Sequence, residues 1–487
     1  MSEVELPEGW DEALMSDVTA DVPSEDPARD PDRVFAYIDI SAIDNRRFAI
    51  TSDEVKEFRG RDAPSRARRP VRPADVLYSN VRTYLRNIAL VEAGVPADLC
   101  STGFTVLRSN GVIEPEYLFR WVLTEEFLEL ISPHETGTHY PATSDRAVRA
   151  LPIRVPPLAE QRRIVEKVEA LLAQVNAARA RLAKVPTILK RFRQSILSAA
   201  CSGRLTEGWR LAQESVVDEE DWNESKFGDL LAVKPQNGLY RPQEDYGSGT
   251  PIVRIDSFYE GEIGAWNDLK KLRATKDDVR TYGLQPGDLL INRVNSPKFL
   301  GKSALVRSVP EPTVFESNIM RCHPDESRLF PEFAVRFLSS LEGLEELRKN
   351  AKHAVNQSSI NQRDVMDVSV PVPHLPEQHE IVRRVEALFK LADTIEARVA
   401  AATARADKIT QAILAKAFRG ELVPTEAELA RQEDRDYEPA SALLARIRAA
   451  RAAEPPERGT DARRREKSRV ALSGTDPDRK RREKRGI

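Results

Sequence analysis

The residues best placed to do chemistry in this chain are few, and each set fails on spacing. The run FLGKS at residues 299–303 resembles the end of a phosphate-cradling loop, but such a loop needs a second glycine five positions before its Gly-Lys pair, and Ser296 stands there. Asp53, Glu54 and Lys56 can be aligned as a nuclease-like acidic set, yet three charges in a polar turn read as surface. The 6 histidines lack ligand spacing; His374 and His379 flank a helix start, where capping or exposure accounts for them better than a metal does. Cys100, Cys201 and Cys322 stand alone, offering neither a metal site nor a disulfide framework, which suits a reducing cytosol. No run matches a cofactor loop, an adenine methyltransferase tetrapeptide (Asn/Asp-Pro-Pro-aromatic) or a helicase motif. No catalytic residue, metal or cofactor site is expected.

What remains is binding chemistry. Arg59, Arg61, Arg66, Arg68, Arg69 and Arg72 crowd beside a predicted strand, a density suited to neutralising phosphates or to a solubilising loop. Asn80, Arg82, Thr83, Tyr84 and Arg86 lie where a strand meets a loop, and Asn292, Arg293, Asn295 and Lys298 lie at the matching place later in the chain. Arg and Asn are the side chains whose geometry allows bidentate contact with guanine and adenine edges. Two polar stretches add further candidates for base contact: Thr138, His139 and Tyr140 in the first, and His353, Asn356, Gln357 and Ser358 in the second.

These residues must be positioned by something, and the chain writes its positioning element twice. Glu160 falls on Glu377, Leu171 on Leu388, Ile196 on Ile413 and Gly203 on Gly420, each 217 residues on. In the first copy Ile164, Val168, Leu171, Val175, Ala178, Leu182, Val185, Leu189, Phe192 and Ile196 alternate steps of four and three; Ile381, Val385, Leu388, Ala392, Ile395, Val399, Ala402, Ala406, Ile409 and Ile413 do so in the second. That is the 3.5-residue repeat of a coiled-coil seam. Pro157 and Pro376 stand near the starts, and Gly203 and Gly420 just past the ends. A helix of roughly 45 residues reaches about 65 Å, and a stripe of that length needs a partner. Pro186 removes a backbone donor mid-helix, at ~3 kcal/mol, so a kink or break is expected near Val185; the second copy has Thr403 there.

The segments between the helices share one plan in different words. Strands are expected at VFAYIDISAI, twice within VRPADVLYSNVRTYLRNIALV, and at GFTVLRS, followed by an amphipathic helix at YLFRWVLTEEFLELI. TPIVRIDSFYEGEI, LQPGDLLINRVNSPKFLGKSALV and PEFAVRFLSSLEGLEEL answer them in the second half, with Asp75 matched by Asp288. The expected fold is α+β: two mixed domains separated by two long helices paired as an antiparallel coiled coil, an internal pseudo-twofold duplication. Its parts are an acidic flexible lead-in (1–33), a first domain (34–150), a first long helix (151–205), a second domain (206–367), a second long helix (368–422) and a charged, largely disordered tail (423–487) with one weak helix near residues 441–452. Lys and Arg number 74 against 77 Asp and Glu, for a net charge of −3, so nucleic-acid contact must come from local patches. No apolar run approaches membrane-spanning length; a soluble, cytoplasmic protein is expected.

The pattern resembles the specificity subunit of a type I restriction-modification enzyme. The likeness rests on the Pro-Pro-Leu-x-Glu-Gln start at residues 156–161 and its twin at 373–378, on the endings at 196–205 and 413–422, and on LPEGW near the N-terminus. It implies two target recognition domains, each reading half of a bipartite double-stranded DNA sequence, in a chain without catalysis of its own. It also implies two modification subunits that use S-adenosylmethionine to methylate adenine N6, and restriction subunits that cleave DNA using ATP and Mg. The repeated helix starts and ends, with Glu160, Gln161, Gly203, Glu377, Gln378 and Gly420, are then the expected partner contacts. A methylation-only complex, a coiled-coil scaffold without a DNA role and a nuclease in its own right are the rival readings.

Overall fold

The computed structural model describes residues 5–136, 141–212, 222–354 and 357–453. The chain divides into two units, Met1–Ala178 with Arg405–Ile487, and Arg179–Ala404. Each unit therefore takes in the start of one long helical stretch and the end of the other.

The first unit is built on two four-stranded sheets. In one, Phe104–Ser109 lies between Thr19–Ala20 and Val76–Ser79, and Ile88–Leu90 closes the far edge, all antiparallel. In the other, Val34–Ile38 runs parallel to Leu99–Ser101, with Lys56–Arg59 and Ala67–Pro70 outside them. The β-branched and aromatic content of these runs suits a pleated, buried surface, and Val76, Leu77, Tyr78, Phe104, Val106 and Leu107 are buried. The amphipathic segment forms two helices, Pro115–Val122 and Glu125–Ile131. One helix was expected; Thr124 interrupts it by accepting the Phe127 N–H at 3.0 Å as an N-cap.

The second unit repeats the plan. Ile319–Pro324, Leu289–Asn292 and Ser303–Leu305 form an antiparallel trio within a six-stranded sheet, Tyr246–Val253 runs parallel to Val314–Phe315, and helices Pro331–Leu338 and Leu341–Arg348 follow.

The first long stretch is two helices, Leu158–Leu182 and Val185–Cys201, parted at Ala183 and Lys184 so that Pro186 falls in the first turn of the second helix. There its missing N–H has no helical acceptor to lose. The second stretch is one helix, Leu375–Phe418, in which Thr403 donates its hydroxyl to the Val399 carbonyl at 2.9 Å. In the first unit Ile164 and Val168 share a core with Ile413, Leu414, Ala417 and Phe418. In the second, Ile196, Leu197 and Ala200 share one with Ile381 and Val385.

The lead-in corrects the expectation of flexibility, and the first part of the tail, to residue 453, is more ordered than expected and contains the helix foreseen near 441–452. Asp11–Leu14 pairs antiparallel with Pro152–Val155, and Trp10, Ala13, Met15 and Val18 belong to the main core. These four apolar side chains, scattered among acids, reach the core once a strand partner lies beside them. After residue 423 the chain forms helices Glu426–Glu433 and Ala440–Ala453; Leu443 and Leu444 join that core, and Arg448 pairs with Asp17 at 2.7 Å. The basic runs at 462–470 and 479–487 lie outside the described residues. Among the described residues no helix is long and apolar enough to cross a membrane.

Candidate nucleic-acid interface

The repeated Glu-Gln pairs are interior fastenings, which corrects the expectation that they face a partner. Glu160, Gln161, Glu377 and Gln378 are all buried. Gln161 accepts the Glu114 N–H at 2.7 Å and donates to the Val112 and Pro156 carbonyls at 3.0 and 2.8 Å. Gln378 accepts from Phe330 N–H at 2.7 Å and donates to Arg328 and Pro373 carbonyls at 3.0 and 2.8 Å. Each amide thus ties a helix start to the turn ahead of the domain's own helix pair. Glu160 accepts from the Trp10 indole and the Glu426 N–H, both at 2.8 Å; burial pushes its carboxyl above the ordinary value, against those two donors. Glu377 accepts from the Thr206 hydroxyl at 2.6 Å, from the Trp222 indole at 3.3 Å and from Arg210. Gly203 and Gly420 end their helices at φ +74° and +72°, against Trp222 and Trp10 respectively. The six residues therefore build two matching junctions where a helix start, a helix end and a strand lead-in meet.

The arginine cluster of the first unit separates into surface and scaffold. Arg59, Arg66 and Arg72 are exposed. Arg61 pairs with Asp32 at 3.1 Å and Arg68 with Asp26 at 3.5 Å, both near the surface. Arg69 turns inward to Asp145, whose other oxygen accepts from the Thr105 hydroxyl at 2.6 Å and from the Asn80 amide at 3.3 Å. Asn80 is buried in that network, so it supports the loop instead of projecting from it.

Beyond Asn80 the backbone makes a tight turn, Thr83–Leu85, bounded by Arg82 and Arg86 in the left-handed region at φ 51° and 52°. Thr83 is buried and donates to Glu135, Arg86 pairs with Glu125 at 2.9 Å, and Tyr84 is 57% exposed. Asn80 and Arg82 also bind the far side of the polar stretch: Thr143 N–H donates to the Asn80 carbonyl at 2.8 Å, and Arg82 N–H to the Pro141 carbonyl at 2.7 Å. The turn is thereby tied to Pro141 and Thr143; Thr138, His139 and Tyr140 lie outside the described residues.

The second unit makes the same juxtaposition with a small sheet. Val294–Asn295 pairs with Gln357–Ser359, which pairs with Lys352–Ala354. Asn295 thus lies opposite Ser358, and His353 Nδ1 stands 2.8 Å from the Ser358 hydroxyl. Gln357 and Lys298 are exposed, whereas Asn292 and Ser358 are buried. Arg293 donates to the Ser317 carbonyl at 3.3 Å. Asn356 lies outside the described residues.

Sequence reasoning missed the residues around Lys302. Its ammonium lies 3.8 and 4.7 Å from the ring centres of Tyr259 and Phe258 and donates to the Ile255 carbonyl at 2.6 Å. Burial lowers its pKa to about 8, against the opposing pull of Asp256. Tyr259 is 55% exposed and Phe299 39%, so the same patch offers aromatic faces and ammonium donors. The alternation of Phe299 and Lys302 inside a failed phosphate-loop motif was the available signal. Among the described residues no group of three or more His, Cys, Asp or Glu side chains is arranged to hold a metal ion.

Fold and site together define an α+β protein of two similarly organised units, each joined to long helices and each converging two polar loops. The chain belongs to the family of type I restriction-modification specificity subunits, since the model of the type I restriction modification DNA specificity domain matches residues 90–187 and 219–402. The EcoKI specificity subunit of Escherichia coli K12 is 35% identical over 356 residues, covering 72% of this chain and 74% of that protein. The StySPI specificity subunit of Salmonella potsdam is 35% identical over 351 residues, covering 71% and 74%. A solved chain from work on complex assembly and conformational transition of the type I R-M system matches with TM-score 0.68 and 29% identity over 86% of this chain and 100% of its own. The HsdS subunit from Thermoanaerobacter tengcongensis matches with TM-score 0.55 and 30% identity over 86% and 99%.

Proposed function

We propose that this chain selects the DNA sequence on which a type I restriction-modification complex acts, each unit reading one half of a bipartite target. The observation that supports this most directly is the convergence, in both units, of the loop after a central strand with a second polar stretch. In the first unit the residues are Arg82, Tyr84 and Arg86; in the second they are Asn295, Lys298, His353 and Gln357, with buried Ser358 holding His353 from behind. Exposed Arg59, Arg66 and Arg72 supply phosphate contacts that set register without carrying sequence information. The long helices pair antiparallel, as a pseudo-twofold duplication, and their length sets the unread spacer between half-sites.

In this reading methylation and cleavage belong to partner chains: two modification subunits with S-adenosylmethionine, and restriction subunits with ATP and Mg. Methylation within a duplex requires the adenine to be flipped out, so the recognition chain holds flanking DNA while a partner takes the base. With the Glu-Gln pairs buried, the partner surface is formed by other residues around the two junctions.

The test is co-expression with the neighbouring methyltransferase gene, followed by sequencing of host DNA for modified adenines. A two-part motif with a fixed gap is expected. Replacing residues 34–150 with those of a relative should change one half of that motif and leave the other; a change in both halves would sink the two-reader model.

A further inference from the structure

We infer that Tyr84 and Phe299, at the tips of equivalent connections in the two units, contact base pairs directly and set the identity of one position in each half-site. This rests on the DNA-recognition reading above and adds to it the side chains that discriminate. Tyr84 lies in the connection between Val76–Ser79 and Ile88–Leu90, and Phe299 in that between Leu289–Asn292 and Ser303–Leu305. In each sheet these two antiparallel strands are flanked by a third that pairs with the first of them. The two connections differ in length and sequence, yet arrive at the same three properties.

The first is an exposed ring. Tyr84 is 57% exposed and its neighbour Leu85 36%, while Phe299 is 39% exposed. The second is a pinned backbone. In the first unit Leu85 N–H donates to the Arg82 carbonyl at 2.8 Å, Asn45 donates its amide to the Leu85 carbonyl at 2.9 Å, and two non-glycine residues hold left-handed conformations on either side. Such conformations are retained where surrounding contacts enforce them, and they concentrate at functional sites. In the second unit Phe299 N–H donates to the Ser296 carbonyl and Gly301 N–H to the Asn292 carbonyl, both at 2.9 Å, while Arg348 donates to the Leu300 carbonyl at 2.8 Å. The third is nearby cations: Arg82 and Arg86 two residues to either side of Tyr84 in the chain, Arg86 shared with Glu125 at 2.9 Å, and the Lys298 and Lys302 ammonium groups 5.2 and 6.0 Å from the Phe299 ring centre. A rigidly presented ring with cations nearby fits a polyanion whose interior is stacked and apolar. The cations meet phosphates, and the ring meets a thymine methyl in the groove or wedges between base steps. Asn80 and Asn292, the amides at the ends of the first strand of each pair, are both buried and do not compete for this role.

The experiment uses the full chain co-expressed with its methylating partners, with Tyr84→Ala, Tyr84→Phe and Phe299→Ala compared by modified-adenine mapping of host DNA and by binding of the complexes to cognate and singly altered duplexes. Tyr84→Ala should relax one half-site at one or two positions, leave the other half and the spacer unchanged, and weaken cognate binding about 10-fold or more. Phe299→Ala should do the same to the opposite half-site, and Tyr84→Phe should keep the motif. Both rings are exposed, so assembly and thermal stability should match the unaltered complex. An unchanged motif in both alanine variants overturns the assignment, as does equal weakening on every sequence or loss of assembly, which would make the tips phosphate supports or protein contacts. If the unaltered chain gave no two-part motif at all, the DNA-recognition reading would fall instead.

Discussion

The indole N–H of Trp10 donates to the buried carboxylate of Glu160 at 2.8 Å, joining the strand lead-in of the first unit to the start of a long helix. Trp222 and Glu377 make the same contact at 3.3 Å in the second unit. Glu160→Ala leaves both the Trp10 indole and the Glu426 N–H without their acceptor. At about 1–3 kcal/mol for each orphaned buried donor, a loss of roughly 2–6 kcal/mol is expected in urea unfolding followed through tryptophan fluorescence. A loss below about 0.5 kcal/mol, the range of ordinary surface substitutions, would show that this junction fastens nothing.

The paired glutamines allow a sharper comparison. Gln161→Glu keeps the shape and the acceptor for Glu114 N–H but turns the donating end into an oxygen facing two carbonyls. Unfavourable electrostatics then add to lost hydrogen bonds, so Gln161→Glu should destabilise more than Gln161→Ala at pH 7. The difference should shrink as acid protonates the new carboxyl; equal effects of the two substitutions at pH 7 would contradict the fastening geometry.

Gly203 and Gly420 share a left-handed conformation that L side chains adopt at a cost of about 1–2 kcal/mol, yet their surroundings differ. A Cβ on Gly420 would meet the Pro7 ring at 2.5 Å, whereas one on Gly203 would first meet the Arg210 guanidinium, the far end of a long side chain, at 3.0 Å. Gly420→Ala should therefore lower the melting temperature more than Gly203→Ala. The reverse order in calorimetry would refute this account.

Lys302 carries a pH signature. Its pKa is about 8 in the fold against an ordinary 10.5, so between those values the unfolded chain holds a proton that the folded chain has released, and stability rises with pH. Below pH 8 both states are protonated and the burden of burying the charge is present in full. Lys302→Met should flatten the rise between pH 8 and 10.5 in chemical unfolding; a slope as steep as that of the unaltered chain would show that another group is responsible.

Arginines of one short segment should part into two kinds. Arg59→Ala and Arg66→Ala should weaken DNA binding alike on all sequences and each lower the salt slope by about one. Arg69→Ala should instead destabilise the first unit, because it strips the partner from Asp145 beside buried Asn80. Salt-dependent binding and thermal melting, measured on the same three variants, separate the two classes.

What the sequence alone determined is what local periodicity encodes. The seam from Ile381 to Ile413 forecast a long helix, and Pro186 forecast the break that falls at Ala183 and Lys184. Runs such as FTVLRS forecast strands, because alternation and turn chemistry act within a few residues. Tertiary structure decided whatever depends on a distant partner. Trp10 and Asp11 looked like part of a flexible acidic lead-in until Pro152–Val155 and Glu160 came alongside. Glu160 and Gln161, as polar residues at a helix start, looked suited to a surface; the Trp10 indole and the Glu426 N–H enclose the first, and the turn at Val112 and Glu114 the second. Asn80 and Tyr84, four residues apart, took opposite roles, one packed against Asp145 and the other projecting from a turn held at φ 51° and 52°. Composition and spacing are the same whichever way a side chain faces, and that direction is set by long-range packing.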